Sequence, residues 1–533
     1  MEQTYDYVII GAGSSGCVVA NRLSANPKHK VLLVESGPPD TSWLIRMPRG
    51  IGRLVGRQGD PHSWYYEAGR GGNRSVEQWQ KGKTLGGSSA INGMVYVRGH
   101  PRDYDRWEEA GCVGWGWDRM RPIFDAMETR HCGSQPPRGC GALNVTIPRT
   151  GNAFTEAVLD AADRMGIPRV ENNNEAPDGG IGYQPQTIWR GKRQSAARAF
   201  LDPIRNRRNL DIVTDTTAHR IEFEGARAAA VILRDGTGSR RVAVHREIVV
   251  AAGAIESPKL LQLSGIGPAD LLSGLGIATV RPSPDVGLNL REHLILPVVY
   301  RVREGSLNSE FGGWRLWRNV LRYALFSSGP MTSAVAAAAA YVRTKDGLDR
   351  PDVQIGLGLQ SFVSGPGGIA VMPEPGISLV SYYMHPKSRG TVAIASPNPD
   401  MPPSIDANYL DAPEDREVAI ATVRLVRRLM AHPLVAPYVV AEIAPGPDAD
   451  SDDQILEFAR AFGATGYHVS GTCRMGGDDR AVVDSRLRVR GVQGLRVIDT
   501  SIMPELTSGN TNGPAMAIGW RGADMMIEDA TRG

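Results

Sequence analysis

YDYVIIGAGSSGCVVANRLSANPKHKVLLVESG, residues 5–37, is the stretch that decides the fold. Tyr7–Ile10 is a short unbroken apolar run, as expected of a strand covered on both faces. GAGSSG is a turn. CVVANRLSA has helical spacing, with Val18, Val19 and Leu23 on its apolar side, and KVLLVE is a second apolar strand. This is a βαβ unit. Gly11, Gly13 and Gly16 stand in the G-x-G-x-x-G frame, and Glu35 closes the second strand 19 residues after Gly16. Gly11 permits the tight turn, Gly13 lets main chain approach a pyrophosphate, and Gly16 lets the helix pack on the strand. The helix N-terminus, opened by Ser14 and Ser15, then faces the phosphates, and Glu35 can accept from ribose hydroxyls. The unit predicts an α/β dinucleotide-binding fold. NAD and FAD both remain open on these residues alone.

The rest of the chain sets bounds. At 533 residues it is long enough for two or three domains. Lys and Arg number 60 against 57 Asp and Glu, so no basic stripe argues for a nucleic-acid partner. Five cysteines, an odd count, argue against a disulfide scaffold; Cys132 and Cys140 could pair if oxidised, but free thiols are expected. No Cys/His spacing matches a metal site. No signal peptide is visible, and AVAAAAAYV (334–342) is too short to span a bilayer. A cytoplasmic chain with no membrane span is expected.

Further stretches carry the second half of the argument. GKTLGGSSAINGMVYVRG (82–99) is a glycine-rich loop that can bring main chain to a flat ligand, with Asn92 offering an amide. EIVVAAGAIESPKLLQLSGIGP (247–268) reads as a strand followed by a helix over SPKLLQLSG. LRVIDTSIMP (495–504) is a final strand, then the NTN turn (510–512), then a closing helix. Between them, 296–462 alternates in the manner of antiparallel strands, interleaved with helical segments. Pro/Gly-rich surface loops are expected at 363–376 and 444–448. The expected division is a discontinuous cofactor domain (1–150, 195–295 and 469–533) interleaved with a substrate domain on a largely antiparallel sheet (151–194 and 296–468).

Together these stretches, with DVGLNLREHL, HVSGTCRMG and GNTNGPAMAIG, resemble the glucose–methanol–choline (GMC) oxidoreductase family over nearly the whole chain. The chain looks like the bacterial alcohol and choline dehydrogenase-like members or the aryl-alcohol or hydroxymethylfurfural oxidase-like members. The resemblance implies FAD rather than NAD. It implies that the loop from Gly87 and Ser88 to Met94 and Val95 runs beside the flavin, with Asn92 and Gly93 near its reactive edge. It places Ala218 at the adenine, Asp499 near the ribityl and pyrophosphate, and Asn510 and Thr511 at the pyrimidine end. His468 matches the family's catalytic base, and Asn512 is expected as its partner. Some members carry a histidine shortly before the Asn92 position that bonds the flavin covalently. Ser89, Ala90 and Ile91 stand there instead, so FAD is expected to be non-covalent.

Tyr382 and Tyr383 are candidate pocket walls, and Gly466 is expected to leave room for substrate. His219 and His293 are expected to pack rather than react. No carboxylate can be assigned to a quaternary ammonium. A primary alcohol, aryl or alkyl, oxidised to the aldehyde is therefore the expected reaction, with oxygen or another acceptor as the oxidant. Choline oxidation and hydroxynitrile cleavage are the alternatives.

Overall fold

The computed structural model describes residues 4–532 apart from 72–75, 134 and 366–367. Thr4–Ile10 and Val31–Val34 are adjacent parallel strands joined by the helix Ser14–Leu23. Leu210–Val213 extends the sheet beyond Val31–Val34, and Gly238–Val250 flanks Thr4–Ile10 on the other side. The last residues of Gly238–Val250 take Leu495–Val497 as a further parallel neighbour. Its earlier residues continue into an antiparallel ribbon with Arg227–Asp235 and Thr217–Glu224. Tyr7–Ile10, Val31–Val34 and Ile248–Val250 are wholly buried at the centre of the sheet, which is why they read as unbroken apolar runs.

A second sheet is antiparallel throughout. Its order is Val439–Ala444, Leu294–Val302, Gly376–Tyr383, Val353–Gly358, Ala338–Val342, Gly180–Tyr183. The helix Pro413–Met430 packs its apolar side on this sheet. Ala464–Thr465 pairs with the start of Leu294–Val302, which brings the His468 segment to the sheet.

Some elements differ from expectation. The helix expected over SPKLLQLSG starts earlier, at Gly253. Asp499 explains this, because its carboxylate accepts from the N–H of Gly253 (2.9 Å) and the hydroxyl of Ser257 (2.6 Å). Pro258 then lies inside the helix and cannot donate to Ala254; the Thr472 hydroxyl supplies that carbonyl instead, at 2.7 Å. The loop expected at 363–376 contains two strands, Phe362–Gly365 and Gly368–Val371, while 366–367 lie outside the described residues. All five cysteines are free. Among the described residues, no helix is long and apolar enough to cross a membrane.

Candidate active site

Two helix N-termini meet at the glycine turn. Ser14–Leu23 lies along Asn512–Arg532, tied at the start by the Ser14 hydroxyl donating to Asn512 Oδ1 (2.8 Å) and one turn on by Ser15 Oγ donating to the Ala515 carbonyl (2.7 Å). Gly16 is needed because a Cβ there would collide with the Gly11 carbonyl; Gly519 is needed because one there would collide with Ser15. Gly13 is different: its nearest neighbour to such a Cβ is 3.9 Å away. Its side of the turn is open to a ligand. No side chain caps the first helix, and Asn512 Nδ2 is buried without a protein partner. Both helix dipoles therefore converge, with spare N–H donors, where a pyrophosphate would lie.

Glu35 closes the other end. Its oxygens accept from the N–H groups of Ala12 and Gly37, both at 3.0 Å, leaving lone pairs for hydroxyl donors. Burial pushes its pKa up to about 7 against the pull of those N–H groups. Ala218 lies on the edge ribbon, paired with Leu233. Asp499 spends its carboxylate on Gly253, Ser257 and the N–H of Ser501. These residues fit a dinucleotide such as FAD.

The loop 87–95 is clamped from behind. Gly87, at φ +52°, packs on Gly13, and Ser88 Oγ accepts from Gly82. Asn92 Oδ1 accepts from the Met94 N–H (3.0 Å) and from Arg193 Nη1 (2.8 Å). Arg193 also holds the Asn92 carbonyl (2.6 Å) and the Ile45 carbonyl (2.9 Å). It is buried, and burial lowers its pKa to about 9. No motif singled it out. Val95 bridges to Gln186, and Met94 adopts φ +62°. A Cβ at Gly93 would collide with Val335, so this glycine is matched to that valine.

His468 is buried at the junction of the two sheets, and its surroundings set its tautomer. The Met384 carbonyl, 2.9 Å from His293 Nε2, can only accept, so that nitrogen carries the proton. His293 Nδ1 is then a bare acceptor and takes the proton on His468 Nδ1, also 2.9 Å away. His468 Nε2 is left with a lone pair, which faces the Asn510 amide nitrogen at 2.9 Å. The amide orientation follows from its other end, where Oδ1 accepts from Gln354 Nε2 (3.3 Å); Gln354 is itself oriented by the Tyr382 hydroxyl, which donates to its Oε1 at 2.7 Å. The network delivers a neutral imidazole with its basic nitrogen toward an amide donor.

The main chain of the site is held as tightly. Glu292 Oε1 accepts from the N–H groups of both His293 and His468, each at 2.8 Å, and Oε2 accepts from Thr465 Oγ1 at 2.8 Å. Lys81 donates to the Tyr467 carbonyl (2.7 Å). This offsets the strain of Tyr467, a non-glycine residue at φ +62° beside the base. Burial raises the Glu292 pKa to about 7, while Lys81 pulls it back. Burial lowers His293 to about 4, and burial together with His293 and Lys81 holds His468 well below 6.5.

Four expectations change. Asn512 was expected beside the base, yet its amide lies on Ser14, and Asn510 stands at His468. Asn512 is the first residue of its helix, so it turns into the cradle. Tyr382 and Tyr383 take opposite faces of their strand. Tyr382 stacks on His293, with centroids 4.6 Å apart, while the Tyr383 hydroxyl turns away to Glu414. His293, expected only to pack, is bonded to the base. Gly466 lies behind the imidazole rather than at the substrate: a Cβ there would be 2.9 Å from His468 Nδ1 and 3.0 Å from the His293 carbonyl. Thr511 is buried between Asn510 and Asn512. His385 is buried behind the site, accepting from Arg350 Nε at 3.0 Å, and His219 lies 3.6 Å from Asp400.

Gly466→Ala should therefore displace the base itself and slow flavin reduction by about 10²-fold, equally for small and bulky alcohols. Anaerobic stopped-flow with a matched pair of alcohols checks this; a loss confined to the bulky one would show that position 466 reaches the substrate.

The GMC oxidoreductase sequence patterns match residues 5–295 and 386–519. The chain is 38% identical to an alcohol dehydrogenase [acceptor] of Pseudomonas putida, over 98% of this chain and 96% of that one. It is 37% identical to the human mitochondrial choline dehydrogenase, over 98% and 89%. Its structure superposes on pyridoxine 4-oxidase from Mesorbium loti with a TM-score of 0.88 at 32% identity, covering 98% of this chain and 99% of that one. A formate oxidase of Aspergillus oryzae, studied for modification of its FAD, gives 0.92 at 27%, with both chains fully covered. The chain belongs to the GMC oxidoreductase family of FAD-dependent enzymes.

Proposed function

We propose that this chain oxidises a primary alcohol, aryl or alkyl, to the aldehyde, with His468 as the base. The observation that carries this is the lone pair of His468 Nε2 held opposite the Asn510 amide. A hydroxyl that enters the site displaces the direct Asn510–His468 hydrogen bond of 2.9 Å, gives its proton to Nε2 and accepts from the freed Asn510 N–H. The amide cannot take the proton, so base and donor do not exchange roles. The hydrogen bonds to His293 and Asn510 fix the rotation of the imidazole while Glu292 holds its main chain, and positioning of this kind carries much of the rate. FAD, when bound, supplies the hydride acceptor at its N5 edge. The first strand set with its two converging helices serves as the cofactor domain, and the antiparallel sheet as the substrate domain. Residues 87–95 offer no His, Cys or Tyr side chain, which supports non-covalent FAD.

A choline substrate is the second reading, favoured by the choline dehydrogenase relatives. Against it, the carboxylate beside the base, Glu292, is spent on backbone N–H groups and Thr465. The test is visible absorbance of the purified protein under anaerobic conditions, with aryl alcohols, alkyl alcohols and choline added in turn. Bleaching of the flavin band by the neutral alcohols is expected. Air recovery then separates an oxidase from a dehydrogenase. Bleaching by choline alone would reverse the substrate order, and no bleaching by any would move hydroxynitriles forward. Acid precipitation should leave the yellow colour in the supernatant.

A further inference from the structure

The helix Gly313–Phe326 turns large apolar side chains outward. Trp314, Trp317, Leu321, Leu325 and Phe326 are 60–76% exposed. The first four follow i, i+3, i+7 and i+11, and so form one stripe. The opposite side packs on the protein through Leu316, Val320 and Tyr323 against Met47 and Met331. This helix therefore has two apolar stripes and one partner. Scattered exposed apolar residues need no explanation, but a continuous stripe marks a contact surface.

The charges beside the stripe are basic but for one carboxylate. Arg315, Arg318 and Arg322 run along its flank, with the Arg318 guanidinium 4.9 Å over the Trp314 ring. Two adjacent segments add more. The Tyr323 hydroxyl donates to the Arg46 carbonyl (3.3 Å), which seats 43–46 beside the helix. Gly191 packs against the Ser327 carbonyl, so Arg190 and Lys192 border the helix C-terminus. In residues 41–59, 186–194 and 305–330 the only acidic residue is Glu310, which pairs with Arg315 (3.1 Å) and Arg318 (2.8 Å).

We propose that this face docks on the surface of a bilayer carrying anionic lipids. The helix would lie in the interface plane, with Trp and Leu in the acyl boundary and the basic rim on the headgroups. Apolar area and basic charge are the two signals that together give stable interfacial binding. A helix of 14 residues is about 21 Å long, which suits lying on a membrane and not crossing it. Shape also favours a membrane. The stripe is a convex ridge on one helix, which a fluid surface accommodates, whereas a self-complementary dimer needs roughly 800 Å² of matched surface per partner. The docking is independent of which alcohol is oxidised.

The test is flotation of the FAD-loaded protein with vesicles of phosphatidylcholine, with and without phosphatidylglycerol. Wild type should float with the anionic vesicles and be released by salt. The double variant Trp317→Glu/Leu321→Glu should lower partitioning by about tenfold or more while leaving the flavin spectrum and turnover of a water-soluble alcohol unchanged. Arg322→Glu should weaken binding without touching the apolar stripe. Absence of wild-type flotation, equal flotation of the double variant, or equal binding to neutral vesicles would overturn the proposal. So would a wild-type dimer that the double variant converts to monomer without any vesicle binding, which would assign the face to a second copy of this chain.

Discussion

His468→Ala should keep its yellow flavin and lose anaerobic reduction by alcohol by about 10²–10⁴-fold, the span expected for removal of a positioned general base. Cofactor retention is expected because the cradle is built elsewhere, from Gly11–Gly16, Glu35 and the two helix termini; His468 touches His293 and Asn510 instead. The pH profile gives a second, independent reading. Only neutral His468 can accept the hydroxyl proton. Its pKa is held well below 6.5 by burial, His293 and Lys81. Lowering the pKa of a base extends its neutral form toward acid, so the acid limb that belongs to His468 should appear only below 6.5, separate from any smaller change near pH 7 as Glu292 takes up a proton. That acid limb should be missing from the residual activity of the alanine variant. Wild-type reduction rates in the variant, or an acid limb that persists, would remove His468 from the role of base.

Asn510→Ala and Asn512→Ala should separate cleanly, although only Thr511 lies between the two residues. Removing Asn510 deletes the amide at the basic nitrogen and takes an acceptor from Gln354 Nε2, while the Tyr382 hydroxyl keeps Gln354 Oε1. Loss of one preorganised donor at a reacting oxygen slows enzymes by about 10²–10³-fold, and a loss of that order in reduction rate is expected here. Asn512→Ala instead breaks the link to Ser14 at the paired helix termini. Its flavin-loaded form should reduce within severalfold of wild type, while FAD dissociates more readily. Stopped-flow reduction and FAD titration of both variants check the split. If the Asn512 variant were the one with slow reduction and firm FAD, the amide beside the base in the working enzyme would be Asn512.

The Glu292 carboxylate shows how much of this site is backbone. It spans the N–H groups of His293 and His468 and the Thr465 hydroxyl, so it joins the start of the Leu294–Val302 strand to the strained turn carrying the base. A buried acid with three donors is stabilised in place, while its removal would leave two buried N–H groups unpaired. That clamp explains how a non-glycine residue, Tyr467, keeps a left-handed backbone next to the reacting group.

The local sequence determined the cofactor fold. Strand, turn, helix and acid in residues 5–37 are adjacent in the chain, and their periods and glycine positions follow from backbone sterics alone, so they were legible without any long-range contact. The motif around His468 singled it out as the residue we propose as base. The tertiary structure decided what surrounds its imidazole. His293 is 175 residues away, and DVGLNLREHL carries no mark that its ring will meet an imidazole. Strand alternation put Tyr382 and Tyr383 on opposite faces, but only sheet pairing chose which face meets the site. Asn510 and Asn512 are alike in type and setting; the start of a helix at Asn512 is what turns one toward Ser14 and leaves the other at the base. Gly466 looked like room for substrate, and only the fold shows that the space belongs to the imidazole. In each case residue type and spacing supply the capacity for a contact. The partner is set by which distant segments pack together, because the free energy that decides it is spread over whole sheets rather than held in the motif.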